Sequence, residues 1–96
     1  MKAYEILYII DSSVGDEKRE EIISKVKAIV ENYGGTAQEP EKWGVRKFAY
    51  PINYKNEGYY VLMNFEAKPE FIVELERVYK INDKVIKFIT VRKDEE

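Results

Sequence analysis

Two runs of basic residues carry the chemistry most legible in this chain. Lys42, Arg46, Lys47 and Lys55 fall in one stretch with no acid among them, and Arg77, Lys80, Lys84, Lys87, Arg92 and Lys93 fall in another against Asp83 alone. Local clusters of cations neutralise phosphates, and Trp43, Tyr50, Tyr59 and Tyr60 beside them offer ring faces on which bases stack. The plainer readings are solvated charge and core aromatics. A uniform basic coat is excluded: of 96 residues, 16 are Lys or Arg and 18 are Asp or Glu, a formal net charge of -2. The compensating acids gather between Asp16 and Glu21, at Glu39 and Glu41, and in Asp94, Glu95 and Glu96.

Catalytic chemistry finds little material. The chain has no Cys and no His, which removes thiolate nucleophiles, disulfides, the commonest metal ligand and the commonest base near neutral pH. Gly34-Gly35 closes a helical pattern instead of opening one, so it cannot aim amide groups at a phosphate. Glu74 and Glu76 lie two apart on a helical pattern and diverge. A non-enzyme without cofactor, metal or small-molecule substrate is expected. With 45% hydrophobic and 35% charged residues the composition is that of a globular domain. No apolar run reaches the roughly 18 residues of a membrane helix, and no signal-peptide pattern opens the chain. The expectation is a cytoplasmic single domain over residues 1–93 with a short acidic tail over 94–96, and no membrane contact.

The elements that must position these residues follow from periodicity. Ala3 to Ile10 is rich in β-branched and aromatic residues and stops at Asp11-Ser12-Ser13, a strand followed by turn chemistry. From Asp16, Ile22, Val26, Ile29 and Tyr33 recur at helical spacing, with Ile23 and Val30 widening the stripe. The acids at its start suit the positive end of the helix dipole, and Gly34-Gly35 stops it. Thr36 to Pro51 reads as an extended segment at a sheet edge, since Pro40 donates no hydrogen bond. Asn53 to Gly58 reads as a polar turn, Tyr59 to Glu66 as the next strand, Pro69 as a first helical residue, Phe71 to Tyr79 as a second helix ending near Asn82-Asp83, and Val85 to Val91 as a final strand. The order β-α-β-β-α-β gives an α+β, ferredoxin-like fold: a four-stranded antiparallel sheet, its first and third strands central, with two helices on one face.

One sheet face should then meet water and be polar. It is not: Tyr4, Ile6, Tyr8 and Ile10 oppose Leu7 and Ile9, and Ile86 and Phe88 oppose Ile89 and Val91. Alternation alone does not assign the core face, but an apolar open face favours a protein partner. The RNA-recognition motif shares this strand order, and its third-strand signature fails here: Glu57 stands where a base belongs, Tyr60 where a small residue belongs, and Asn64 at the closing aromatic.

The run Trp43-Gly44-Val45-Arg46-Lys47-Phe48-Ala49-Tyr50-Pro51-Ile52-Asn53 resembles the signature of the family of the sixth protein of the bacterial small ribosomal subunit. Lys2 and Tyr4-Glu5 resemble that family's opening, Gly58 to Phe65 its third strand, and Asn82 to Lys87 its lead into the fourth. The resemblance implies a non-catalytic structural protein of the small ribosomal subunit. It implies binding to small-subunit ribosomal RNA in the platform region, as a heterodimer with the eighteenth small-subunit protein. Lys2, Tyr4, Lys87 and Arg92 match positions where the family keeps basic or aromatic residues near RNA. Together with Arg46, Lys47 and Lys93 they are the expected RNA contacts. Leu7, Ile9, Trp43, Tyr50, Tyr59 and Ile89 are the expected partner contacts, Trp43 and Tyr50 chiefly shaping their strand. The alternative is a protein–protein module that uses the open sheet face with incidental basic runs.

Overall fold

A computed structural model describes residues 2–52, 55–81 and 84–93. The chain runs β1 (Lys2–Asp11), α1 (Asp16–Asn32), β2 (Thr36–Ala37), β3 (Glu41–Ile52), β4 (Lys55–Ala67), a 3-10 turn (Pro69–Phe71) leading into α2 (Ile72–Ile81), and β5 (Val85–Arg92). β1 lies between β4 and β5, antiparallel to both, while β2 and β3 share the outer side of β4. This is the expected ferredoxin-like fold with both helices on one face, its sheet built from five strands where four were expected. The expected tail over 94–96 and the Asn82-Asp83 end of the second helix lie outside the described residues.

The extended segment from Thr36 to Pro51 is two strands, not one. Pro40 falls in the gap between β2 and β3, where its missing N–H interrupts no ladder. The expected turn from Asn53 to Gly58 is shorter than its polar sequence suggests. Lys55, Glu57 and Gly58 pair with β3, opposite Ile52, Lys47 and Arg46. Cross-strand pairing satisfies those backbone groups, and that outweighs weak strand propensity.

Helix α1 ends as its glycines predict. Gly34 takes φ +85°, and the N–H groups of Gly34 and Gly35 donate to Glu31 O and Val30 O, each at 3.0 Å. That pattern caps the last free carbonyls of the helix. Its buried stripe, Ile22, Ile23, Val26 and Val30, packs with Leu75 of α2 onto Tyr4, Ile6, Tyr8 and Ile10 of β1 and Val61, Met63 and Phe65 of β4. The even-numbered side of β1 is therefore the core face, which settles what alternation left open.

Candidate nucleic-acid and partner interface

The opposite face of the sheet is built from cross-strand rows. Pairing register aligns Lys87, Ile9 and Tyr60 in one row, Ile89, Leu7 and Leu62 in the next, and Val91, Glu5 and Asn64 in a third. Trp43 adds an aromatic edge, its ring parallel to that of Tyr60 within 5° and 6.5 Å away between centroids. Trp43, Ile89 and Val91 are 41%, 47% and 50% exposed. Ile9 is only 6% exposed, because Phe48 reaches in across Gly58. A Cβ at position 58 would stand 2.3 Å from Ile9 Cγ2 and 3.0 Å from Phe48 Cζ, so a side chain there would expel one of them.

A single irregularity decides which cation joins this face. In β3, Lys42 opposes Val61 and Gly44 opposes Tyr60, so Trp43 is one residue more than the partner strand supplies. Gly44 carries φ +89°, the signature of a bulge that re-aims the following residues. Beyond it Val45 opposes Tyr59 and Arg46 opposes Gly58. The Arg46 guanidinium consequently lies over the Trp43 ring, 5.8 Å from its centroid.

The expected RNA contacts do not gather into one patch. Arg46 and Lys87 lie on the open face near the end of β1. Lys93 lies at the far end of the same face, where its N–H donates to Ala3 O at 2.8 Å and its Nζ donates to Asn64 Oδ1 at 2.9 Å. Lys2, Lys47 and Arg92 pair with Ala67, Glu57 and Tyr4, so they emerge on the helix side; all three are exposed. Tyr4 belongs to the core: it is 6% exposed and stacks on Phe65 with centroids 5.6 Å apart. Its ring has no free face for a base, because even-numbered β1 residues point beneath the helices.

Among the expected partner contacts, Leu7, Ile9, Trp43 and Ile89 share the open face. Tyr59 does not. It packs against the core on the helix side, with the Arg19 guanidinium 4.1 Å above its ring. Tyr50 is 73% exposed, in the stretch of β3 where pairing lapses between Lys47 and Ile52. Tyr60, Leu62 and Val91 complete the face and were missed, because only the pairing of β1 with β4 and β5 places them there.

The acid-free basic run is also partly neutralised in space. Lys42 Nζ lies 2.7 Å from Glu20 Oε1 of α1, and Lys55 Nζ lies 3.2 Å from Asp11 Oδ2. The Glu20 carboxylate raises the Lys42 pKa. Hydrogen bonds from the Ser13 N–H and hydroxyl, at 3.0 and 2.9 Å, with Lys55 nearby, hold the Asp11 carboxyl below its ordinary range. Arg46 and Lys47 make no ion pair among the described residues. Nor do those residues include a cluster of acids able to hold a metal, or a helix long and apolar enough to cross a membrane.

Two helices under an antiparallel sheet, with a half-apolar, cation-edged second face, define an α+β protein of the ferredoxin-like class. Comparison with known proteins gives the family. The model described as ribosomal protein S6 matches residues 3–92. The small ribosomal subunit protein bS6 of Clostridium novyi is 47% identical over 91 residues, covering 95% of this chain and 96% of that protein. Its counterpart from Caldanaerobacter subterraneus is 42% identical over 95 residues, covering 99% and 100%. The crystal structure of 30S ribosomal protein S6 from Thermotoga maritima superposes with a TM-score of 0.91 at 35% identity, covering 96% of this chain and 87% of that one. The chain belongs to the ribosomal protein S6 family. It is thus a non-enzymatic protein of the small subunit of the cytoplasmic ribosome, as its signature run implied.

Proposed function

We propose that this chain binds small-subunit ribosomal RNA in the platform region as a heterodimer with the eighteenth small-subunit protein. The open face supports this reading best. It presents Leu7, Leu62, Ile89, Val91 and Trp43 as a contiguous apolar surface, and surfaces of that kind mark interaction sites. Arg46, Lys87 and Lys93 stand around that surface, so a protein partner seated on it would bring its own cations beside these three. Lys2, Lys47 and Arg92 extend phosphate contact around the sheet ends.

A net charge of -2 argues against tight RNA binding by the field of this chain alone. The pair should bind a platform RNA fragment tightly and the single chain weakly, with a salt slope for the single chain of about 0.7–0.9 per phosphate contact. Affinity measured against salt for each protein and for the pair tests this. Tight, steeply salt-dependent binding by this chain alone would refute the cooperative reading. Binding of the partner with no gain in RNA affinity would favour a protein–protein module.

A further inference from the structure

We infer that Gly44 is a positioning residue for the RNA contact made by Arg46, acting through the bulge in β3; the inference rests on the function proposed above. Residues three apart in a regular strand point to opposite faces. Trp43 and Arg46 are three apart, yet the guanidinium lies over the indole. The bulge makes the difference by setting Trp43 and Gly44 together against Tyr60.

The two registers can be compared residue by residue. With the bulge, Arg46 opposes Gly58 on the open face and Lys47 opposes Glu57 on the helix side. Without it, continuing from Lys42 opposite Val61, Arg46 would oppose Glu57 and turn to the helix side. Lys47 would take the open face. A one-residue slip exchanges every side chain between faces, so Gly44 selects which of the two neighbouring cations stands beside the apolar surface.

The choice matters because Arg and Lys are not equivalent there. A planar guanidinium stacks on an indole and forks onto a phosphate, whereas an ammonium does neither as well. The constraint at position 44 is conformational, since a Cβ would meet nothing within 4 Å. Its φ of +89° is one that glycine adopts freely, that Asn tolerates, and that β-branched residues resist.

The test combines Gly44→Val, Gly44→Ala and Gly44→Asn with Arg46→Ala and Lys47→Ala in the full chain. Melting and circular dichroism verify folding, nuclear Overhauser contacts report Arg46 against the Trp43 ring, and binding is measured to platform RNA with the partner present. In the parent, Arg46→Ala should weaken binding about tenfold, the loss of a charged hydrogen bond, and Lys47→Ala less. In Gly44→Val the Arg46–Trp43 contact should vanish and the sensitivities should exchange, Arg46→Ala becoming neutral within about twofold. Gly44→Asn should keep the parent pattern, with Gly44→Ala between. Where Gly44→Val fails to fold, the Ala and Asn variants give the same comparison. An Arg46 sensitivity that persists undiminished in Gly44→Val or Gly44→Ala overturns the inference alone. Arg46→Ala without effect in the parent removes the RNA role of Arg46, and the inference with it.

Discussion

Replacing Gly58 by Ala tests the packing that carries the open face. The new methyl would sit 2.3 Å from Ile9 Cγ2, 3.0 Å from Phe48 Cζ and 3.4 Å from Ile10 O. The first distance is far inside van der Waals contact, and Ile9 is 6% exposed with little room to withdraw. Overpacking a filled site costs about 1–3 kcal/mol. Against this, Ala restricts the unfolded chain and returns about 0.4–1 kcal/mol wherever the native backbone suits it, as it does here because Gly58 is not among the positive-φ glycines. The net loss should be about 0.5–2 kcal/mol, and for a domain this size Tm should fall by about 2–15 °C. Urea and thermal unfolding followed by Trp43 fluorescence and circular dichroism would measure it. Ile9→Ala removes Cγ2, so in that background Gly58→Ala should cost no more than about 0.5 kcal/mol, a coupling that a double-mutant cycle resolves. The reasoning fails if Gly58→Ala melts at or above the parent, or if its cost is the same with Ile9 present or absent.

Trp43→Ala should cost about 1–2 kcal/mol from the lost Tyr60 stacking and Arg46 cation–π contacts, well below a buried aromatic, because the ring is 41% exposed; urea unfolding would show it. Met63→Ala, at a site with 0% exposure, should cost about 2–5 kcal/mol, and a loss under about 1 kcal/mol would contradict the core assigned to the even-numbered side of β1. The Asp11 carboxyl is held below its ordinary pKa, first by the Ser13 N–H and then by its hydroxyl. Its stabilising contribution should therefore be complete above the unfolded value of about 3.9 and decline as pH falls through the lower folded value. Asp11→Asn should accordingly flatten the stability profile in acid, as read from urea midpoints between about pH 2 and 6; an unchanged slope there would count against the Ser13 turn.

Much of the fold was legible because periodicity encodes it directly. The stripe Ile22, Val26, Ile29, the glycine stop at Gly34 and the Pro69 start all lie where local chemistry sets them. The signature from Trp43 to Asn53 carried the family. The two sheet faces were not legible, because Leu7 and Ile9 are as apolar as Ile6 and Tyr8, and a strand buried on one side and half-apolar on the other has no clean alternation. Tyr4 and Tyr59 were misplaced for the same reason: an aromatic on a strand looks alike whether it faces helices or a partner. Lys42 and Lys55 looked unpaired because Glu20 and Asp11, which meet them, are 22 and 44 positions away in the chain.

By itself, then, the sequence determined the strand and helix periods, the glycine stop of α1 and, through the run from Trp43 to Asn53, membership of the ribosomal family. Those depend on residue type and short-range spacing. Only the tertiary structure decided which side of β1 is core, where β3 breaks into register with β4, and that Arg46 rather than Lys47 stands over Trp43. Each of these turns on pairing between distant strands, and at Gly44 on one extra residue whose effect exists only once a partner strand is there to be out of step with.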